Sequence, residues 1–172
     1  SWRRLPGIYN YWIKSLASSG SNIFAGTSGQ EFLLSTNSGE NWANISFGYN
    51  IKALAISGSN IFAGTYSGGV FLSTNNGSNW ITVNNGLTSL LINALAVSGN
   101  NLYAGTIDMD LGAPSGVFLS TNNGTNWIPV CNGFPKQTVE ALTVKGNYLF
   151  AGTFYNGVFL STNNGSSWNA AN

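Results

Sequence analysis

Apolar positions along the chain fall in short runs, separated by polar, glycine-rich punctuation, and the runs repeat in a fixed order. The sharpest is NIFAGT at Asn22 and Asn60, NLYAGT at Asn101 and YLFAGT at Tyr148. Before each lies a run with small side chains at alternate places: Ile13–Ser18, Ile51–Ser57, Ile92–Ser98 and Val139–Val144. In three of the four repeats the two runs are joined by Ser-Gly-x-Asn, a tight hairpin signal. A third run, EFLLST or GVFLST, follows, then an Asn-Gly turn, then Trp and a last short run. No stretch sustains the three-and-four spacing of an amphipathic helix. The pattern predicts strand after strand, four to a repeat, apolar on both faces as sheets packed face to face require.

The repeat is most exact at its turn. GVFLSTNNGSNW at Gly69–Trp80 recurs as GVFLSTNNGTNW at Gly116–Trp127 and GVFLSTNNGSSW at Gly157–Trp168, with a looser copy, QEFLLSTNSGENW, at Gln30–Trp42. The repeated tryptophans Trp2, Trp42, Trp80, Trp127 and Trp168 are 40, 38, 47 and 41 residues apart. A period near 40 with four short strands per unit is that of β-propeller blades. The expectation is an all-β chain, one domain over 1–172, with four W-type four-stranded blades in repeats of roughly 1–42, 43–80, 81–127 and 128–168 and a shared terminal strand. Phe24, Phe62, Tyr103 and Phe150 read as equivalent core anchors, and so do Phe32, Phe71, Phe118 and Phe159. Five Trp-led outer strands serve four blades. If the ring closes within one chain, Ser1–Leu5 finishes the fourth blade, Trp168–Asn172 is a tail, and Glu140 approaches Lys14. Otherwise the chain is part of a larger ring or a polymer, the surplus strand pairs with another chain, and another chain completes the ring.

The pattern Ser-x-Asn-x-Gly-x-x-Trp, with Asn37, Asn75, Asn122 and Asn163 at one position and Trp42, Trp80, Trp127 and Trp168 at another, resembles the Asp-box, or bacterial neuraminidase, repeat. Every copy here carries Asn where that family usually has Asp. The resemblance implies a β-propeller with the box as a structural turn on its rim, remote from any active site, so the box itself is no sign of sialidase chemistry. That family's arginine cluster and its nucleophilic Tyr with Glu partner have no counterparts here.

Composition narrows the function classes. Only 6% of the residues are charged, the net charge is +1, and polarity comes from 25 Asn together with Ser, Thr and Gly. Without a basic cluster, nucleic acid is not an expected partner. Near-neutrality leaves little repulsion between copies. No run of about 18 apolar residues offers a membrane-spanning helix. The chain starts at Ser1 inside a repeat, which suggests a processed or incomplete chain. Cys131 stands alone and reads as a small buried residue. The absence of His removes the usual general base and the commonest metal ligand.

Candidate chemistry lies in the loops that share one face of such a fold. They hold Tyr9, Tyr11, Trp12, Phe47, Tyr49, Tyr66, Phe134, Phe154 and Tyr155, aromatics suited to sugar rings, peptides or a neighbouring subunit. The long loop of the third repeat contains Asp108 and Asp110, two carboxylates that could face calcium, although the third acid and closing Glu of a calcium loop are missing. Glu31, Glu40 and Glu140 are the remaining acids, and they stand apart in sequence. Asn44, Asn76, Asn123 and Asn164 begin glycosylation sequons. The expected protein is a secreted, non-enzymatic repeat protein with a structural or adhesive role, a homo-oligomer or polymer with no cofactor. A glycan-binding module on surface glycan is the first alternative, and an incomplete glycosidase-type propeller is the second.

Overall fold

The structure is a computed structural model that describes residues 10–109 and 115–171. Its described residues form sixteen strands in four antiparallel sheets, each made of four strands consecutive in the chain. Blade 1 contains β1 (Ile13–Ser19), β2 (Asn22–Thr27), β3 (Glu31–Ser35) and β4 (Ala43–Ser46). Blade 2 contains β5 (Ile51–Ser57), β6 (Asn60–Thr65), β7 (Val70–Ser73) and β8 (Ile81–Thr82). Blade 3 contains β9 (Ile92–Ser98), β10 (Asn101–Thr106), β11 (Val117–Ser120) and β12 (Ile128–Pro129). Blade 4 contains β13 (Val139–Lys145), β14 (Tyr148–Thr153), β15 (Val158–Ser161) and β16 (Asn169–Ala170). The outer strand begins one residue past each Trp and closes the sheet before it. Cutting the repeats at Trp therefore splits each blade from its own outer strand.

Strand alternation divides each blade into two apolar faces. In blade 2, Leu54, Ala63 and Phe71 lie side by side across the ladder, and so do Ala55, Phe62 and Leu72. The first set packs towards blade 1, the second towards blade 3. Small alanines on the inner strand let neighbouring blades approach. Closer still, Gly64 of β6 lies against Ile92 of β9, so an added methyl would stand 2.6 Å from Ile92 Cγ2. Gly105 repeats this under Val139 at 2.5 Å, and Gly26 meets Ile51 in the same way. The Gly of the AGT motif is thus a socket for the first residue of the next blade.

The inner strands pack in series, β1 on β5, β5 on β9 and β9 on β13, and no comparable packing joins β13 to β1. The four blades form an open arc. Of the expected arrangements, closure of the ring by β13 against β1 is not seen among the described residues. Glu140 meets Asn93, and its approach to Lys14 does not occur. The fourth sheet is completed by its own β16, where Phe159 and Leu160 pair with Ala170 and Asn169. The segment 168–171 is therefore not a loose tail, and Asn172 lies outside the described residues. Trp2 and the Ser1–Leu5 segment lie outside the described residues.

Two sequence equivalences shift by one place or lose uniformity. Phe32 pairs with Gly26, as Val70 pairs with Gly64, while Leu33 holds the place of Phe71. Phe32 therefore faces blade 2 and packs edge-on against Trp80 at 5.1 Å, since a one-residue slip changes the face of a strand. Phe32 and the three phenylalanines aligned with it remain core residues. The tryptophans divide into two kinds. Trp127 and Trp168 are buried and donate their indole N–H to Val83 and Val130 carbonyls of the preceding blade, at 2.8 and 2.7 Å. Trp80 and Trp42 are half-buried and donate to Gly77 and Gly39 of their own turns, at 3.0 and 3.1 Å. At the first joint Phe47 occupies space over Trp80, 5.1 Å away and edge-on. Trp42 has no preceding blade among the described residues.

Candidate functional site

The box turns are built from hydrogen bonds that need an acceptor but no charge. Ser73 Oγ accepts the Gly77 N–H at 2.9 Å and donates to Asn75 Oδ1 at 3.0 Å. Asn75 Oδ1 also accepts the Asn79 N–H at 2.9 Å. The same bonds recur around Asn37, Asn122 and Asn163. Asn76, Asn123 and Asn164 take φ of 55°, 55° and 58°, a backbone Asn tolerates well. These turns stitch the third strand to the fourth and stand apart from the loop face.

On the loop face, each inner strand carries a bulge after its first residue, shown by register shifts between Ile13 and Ser15, Ile51 and Ala53, and Val139 and Ala141, with the matching shift at Gly105/Thr106 in blade 3. The extra residues are Lys14, Lys52, Asn93 and Glu140. Bulges re-aim side chains out of the ladder, and here three of them line one groove. Lys52, Asn93 and Glu140, with Ile107, Asp108, Thr138, Phe154 and Tyr155, surround a space of ≈ 380 Å³. Asn93 Nδ2 donates to Glu140 Oε2 and to the Val139 carbonyl, both at 3.1 Å. The Asp108 N–H donates to Thr138 Oγ1 at 3.0 Å, tying the long loop to blade 4. Lys52 Nζ lies 5.8 Å from the Tyr66 ring centroid, in cation–π range. Phe154 and Tyr155 meet edge-on at 4.5 Å and are 59% and 83% exposed. Beside them, buried Gln137 lines an adjoining space, its amide N and O both without a hydrogen-bond partner.

The other candidate aromatics separate. Trp12 is exposed and Tyr11 accepts from Asn44 Nδ2 at 2.7 Å, and both flank a smaller hollow at blade 1 with Glu31. Tyr49, partly exposed, packs on Phe71 at 5.0 Å and Phe47 at 6.2 Å. Phe134 is not a surface aromatic. It is buried under its own loop against Phe159 and Trp168, each at 5.1 Å. Tyr9 and Asp110 lie outside the described residues, so the Asp108–Asp110 pair is not seen as a unit. Among the described residues no three His, Cys, Asp or Glu side chains gather around one point. The structure instead brings Asp108 and Glu140, far apart in sequence, to the same groove. Sequence spacing alone carried no signal of that meeting, because it depends on how blade 3 sits on blade 4.

Cys131 is half-buried, and burial pushes its thiol above the ordinary range. Its sulfur accepts the Val117 N–H at 3.3 Å and donates to the Val117 carbonyl at 3.2 Å. Asn84 fills the same place in blade 2, accepting the Val70 N–H at 2.7 Å and donating to the Gly68 carbonyl at 2.9 Å. Cys131 is a plug between strands.

No family model and no curated protein sequence matches the chain. Solved structures do. The computationally designed Ika4 protein superposes with a TM-score of 0.72 at 19% identity, over 92% of this chain and 94% of its own. AFV00434, an ancestral GH74 enzyme, gives 0.75 at 24% identity, over 92% of this chain and 24% of its own. The extracellular domain of the putative hybrid two-component system BT4673 from B. thetaiotaomicron gives 0.68 at 16% identity, over 95% of this chain and 22% of its own. The chain thus spans about a quarter of the length of the last two. At such identities the likeness concerns architecture, and with four four-stranded antiparallel sheets in sequence it establishes a four-bladed β-propeller fold.

Proposed function

We propose that this chain is a non-enzymatic, self-assembling propeller unit with a structural or adhesive role outside the cell. The observation that carries the reading is the open arc. Blades 2 and 3 cover both their faces, while the two end blades leave apolar side chains bare, Leu16 at 64% and Val158 at 39% exposure. Apolar faces of this kind mark sites of association, and a chain with 6% charged residues has little repulsion to prevent it. The extracellular placement draws support from the BT4673 domain, which has this architecture, and from an uncharged Asn/Ser/Thr surface. Against catalysis stands the groove itself. General acid chemistry on a sugar asks for a carboxyl shielded from water, whereas Glu140 is exposed and bonded to Asn93. Light scattering of the purified chain over serial dilution tests the reading. A mass that grows with concentration is expected, together with no turnover of fluorogenic glycosides above background. Turnover that disappears in Asp108→Asn or Glu140→Gln would replace this reading with a glycosidase.

A second reading rests on Phe154 and Tyr155 beside the ≈ 380 Å³ groove, which offers aromatic faces with Lys52 and Glu140 close by. Such a surface suits a glycan. Binding on a glycan array that is lost in Tyr155→Ala and kept in Tyr49→Ala would favour it.

A further inference from the structure

The three joints between blades are copies of one device, and the chain carries half of that device at each end. In each joint the first residue of an inner strand is a knob, Ile51, Ile92 or Val139, each fully buried. Each knob sits on a glycine of the preceding blade: Gly26, Gly64 or Gly105. Blade 4 has the same glycine, Gly152, and among the described residues no knob sits on it. The nearest atoms to an added methyl belong to its own sheet, Ala141 Cβ at 3.7 Å and Ala141 O at 4.0 Å. The rim of the socket is bare as well. Val158 is 39% exposed where Val70 and Val117 are at 0%, and Thr153 is half-exposed where Thr65 and Thr106 are at 0%.

Blade 1 carries the unmatched knob. Ile13 holds the place of Ile51, Ile92 and Val139 but is only half-buried. Leu16, at the place where Leu54, Leu95 and Leu142 pack into the joints, lies open to water. This face is already covered further out, at Ala25 and Leu33, and is bare along the inner strand. The inner strand is where the three existing joints make their knob contacts.

Charge selects the same pairing. Across the third joint the bulge residue Asn93 reaches the bulge residue Glu140 of the next blade. In that register the first joint sets Lys14 beside Lys52, and the second sets Lys52 beside Asn93. A fourth joint would set Glu140 beside Lys14, an opposite-charge pair that no internal joint has. Because β13 and β1 of one chain do not pack together, the Lys14 must belong to another molecule.

We infer that the vacant face of blade 4 seats blade 1 of a second copy of this chain, head to tail, with Ile13 of that copy on Gly152 and Lys14 of that copy against Glu140. This rests on the self-assembling role above and specifies its joint. Such a contact is heterologous, so each copy uses two different surfaces and each surface can be blocked alone.

The test is sedimentation or light scattering of the wild-type chain and four variants. Gly152→Val fills the socket at a site where the monomer leaves room. Weakening of association by roughly tenfold or more is expected, one knob contact being worth at least that, with unchanged circular dichroism in dilute solution. Ile13→Glu spoils the knob and is expected to do the same. At concentrations where the wild-type chain associates, each of these two alone is largely monomeric, yet their mixture forms a dimer through the one joint left intact. Glu140→Lys weakens association by setting two lysines together, and combining it with Lys14→Glu restores it. Association undiminished in Gly152→Val and Glu140→Lys, or no dimer in the mixture, overturns the joint and leaves self-assembly standing. A wild-type chain that is monomeric at every concentration overturns both.

Discussion

A single acceptor atom decides the turn between the third and fourth strands. Asn75 Oδ1 takes a hydroxyl from Ser73 and a backbone N–H from Asn79. Asn75→Asp retains that acceptor, so urea denaturation should place its stability within experimental error of wild type. Asn75→Leu leaves those donors unpaired and should cost about 1–3 kcal/mol. This turn was legible in the sequence because its bonds join residues two and four apart. The identity of Phe32 was less so. Its neighbours Leu33 and Leu34 are also apolar, and aligning the phenylalanines puts the strand one place out of register. Cys131 belongs to the same scale. Burial raises the Cys131 thiol and the Tyr103 hydroxyl above their ordinary values. A group raised on folding contributes stability that is whole below its unfolded value and is lost as pH rises through its folded value. Urea midpoints should therefore fall from the thiol range upward, and Cys131→Ala should show a smaller alkaline loss than wild type. Equal losses would mean the thiol is not held protonated by the fold.

Elements gain their meaning from the joints they form. The four-strand order and the strand bounds follow from local alternation and hairpin signals, and the sequence placed nearly all of them. The joints did not follow, since nothing local says that Gly64 lies under Ile92 or that Asp108 and Glu140 share a groove. Those facts depend on the rotation of one sheet onto the next. The tryptophans show the difference. Their common sequence position predicts one environment, whereas Trp127 is buried across a joint and Trp42 is half-buried on an end blade. Trp127→Ala should cost about 3–5 kcal/mol, as large-to-small core changes do, and thermal melts should show Trp42→Ala to be clearly milder. A similar contrast belongs to the glycines. Gly64→Ala drives a methyl into Ile92 and should cost about 1–3 kcal/mol by overpacking. Gly152→Ala meets only ordinary contact with Ala141 and should leave dilute-solution stability unchanged or slightly raised. Equal shifts at the two sites would mean that the socket of blade 4 is filled within the single chain.

At the scale of the molecule, four quasi-identical units in series behave as a short linear array, each stabilised by its own hairpins and by the neighbours it touches. Blades 2 and 3 have two neighbours, and blades 1 and 4 have one. Opening should therefore start from the ends, because local unfolding free energy follows the apolar contact each unit makes. Hydrogen exchange in dilute solution should find the slowest amides in β5, β6, β9 and β10, with β1, β13 and β14 exchanging sooner. If copies associate, mass action adds stability that grows with concentration, since only the folded arc presents the faces that pair. The thermal midpoint should then rise as the protein is concentrated, and the gain in protection should fall on β1, β13 and β14 and spare β5 and β9, which are already enclosed. The two readouts check each other. A midpoint independent of concentration, with β1 and β13 as slow to exchange in dilute solution as β9, would mean that a single chain closes its own ring and that the open arc does not describe the protein in solution.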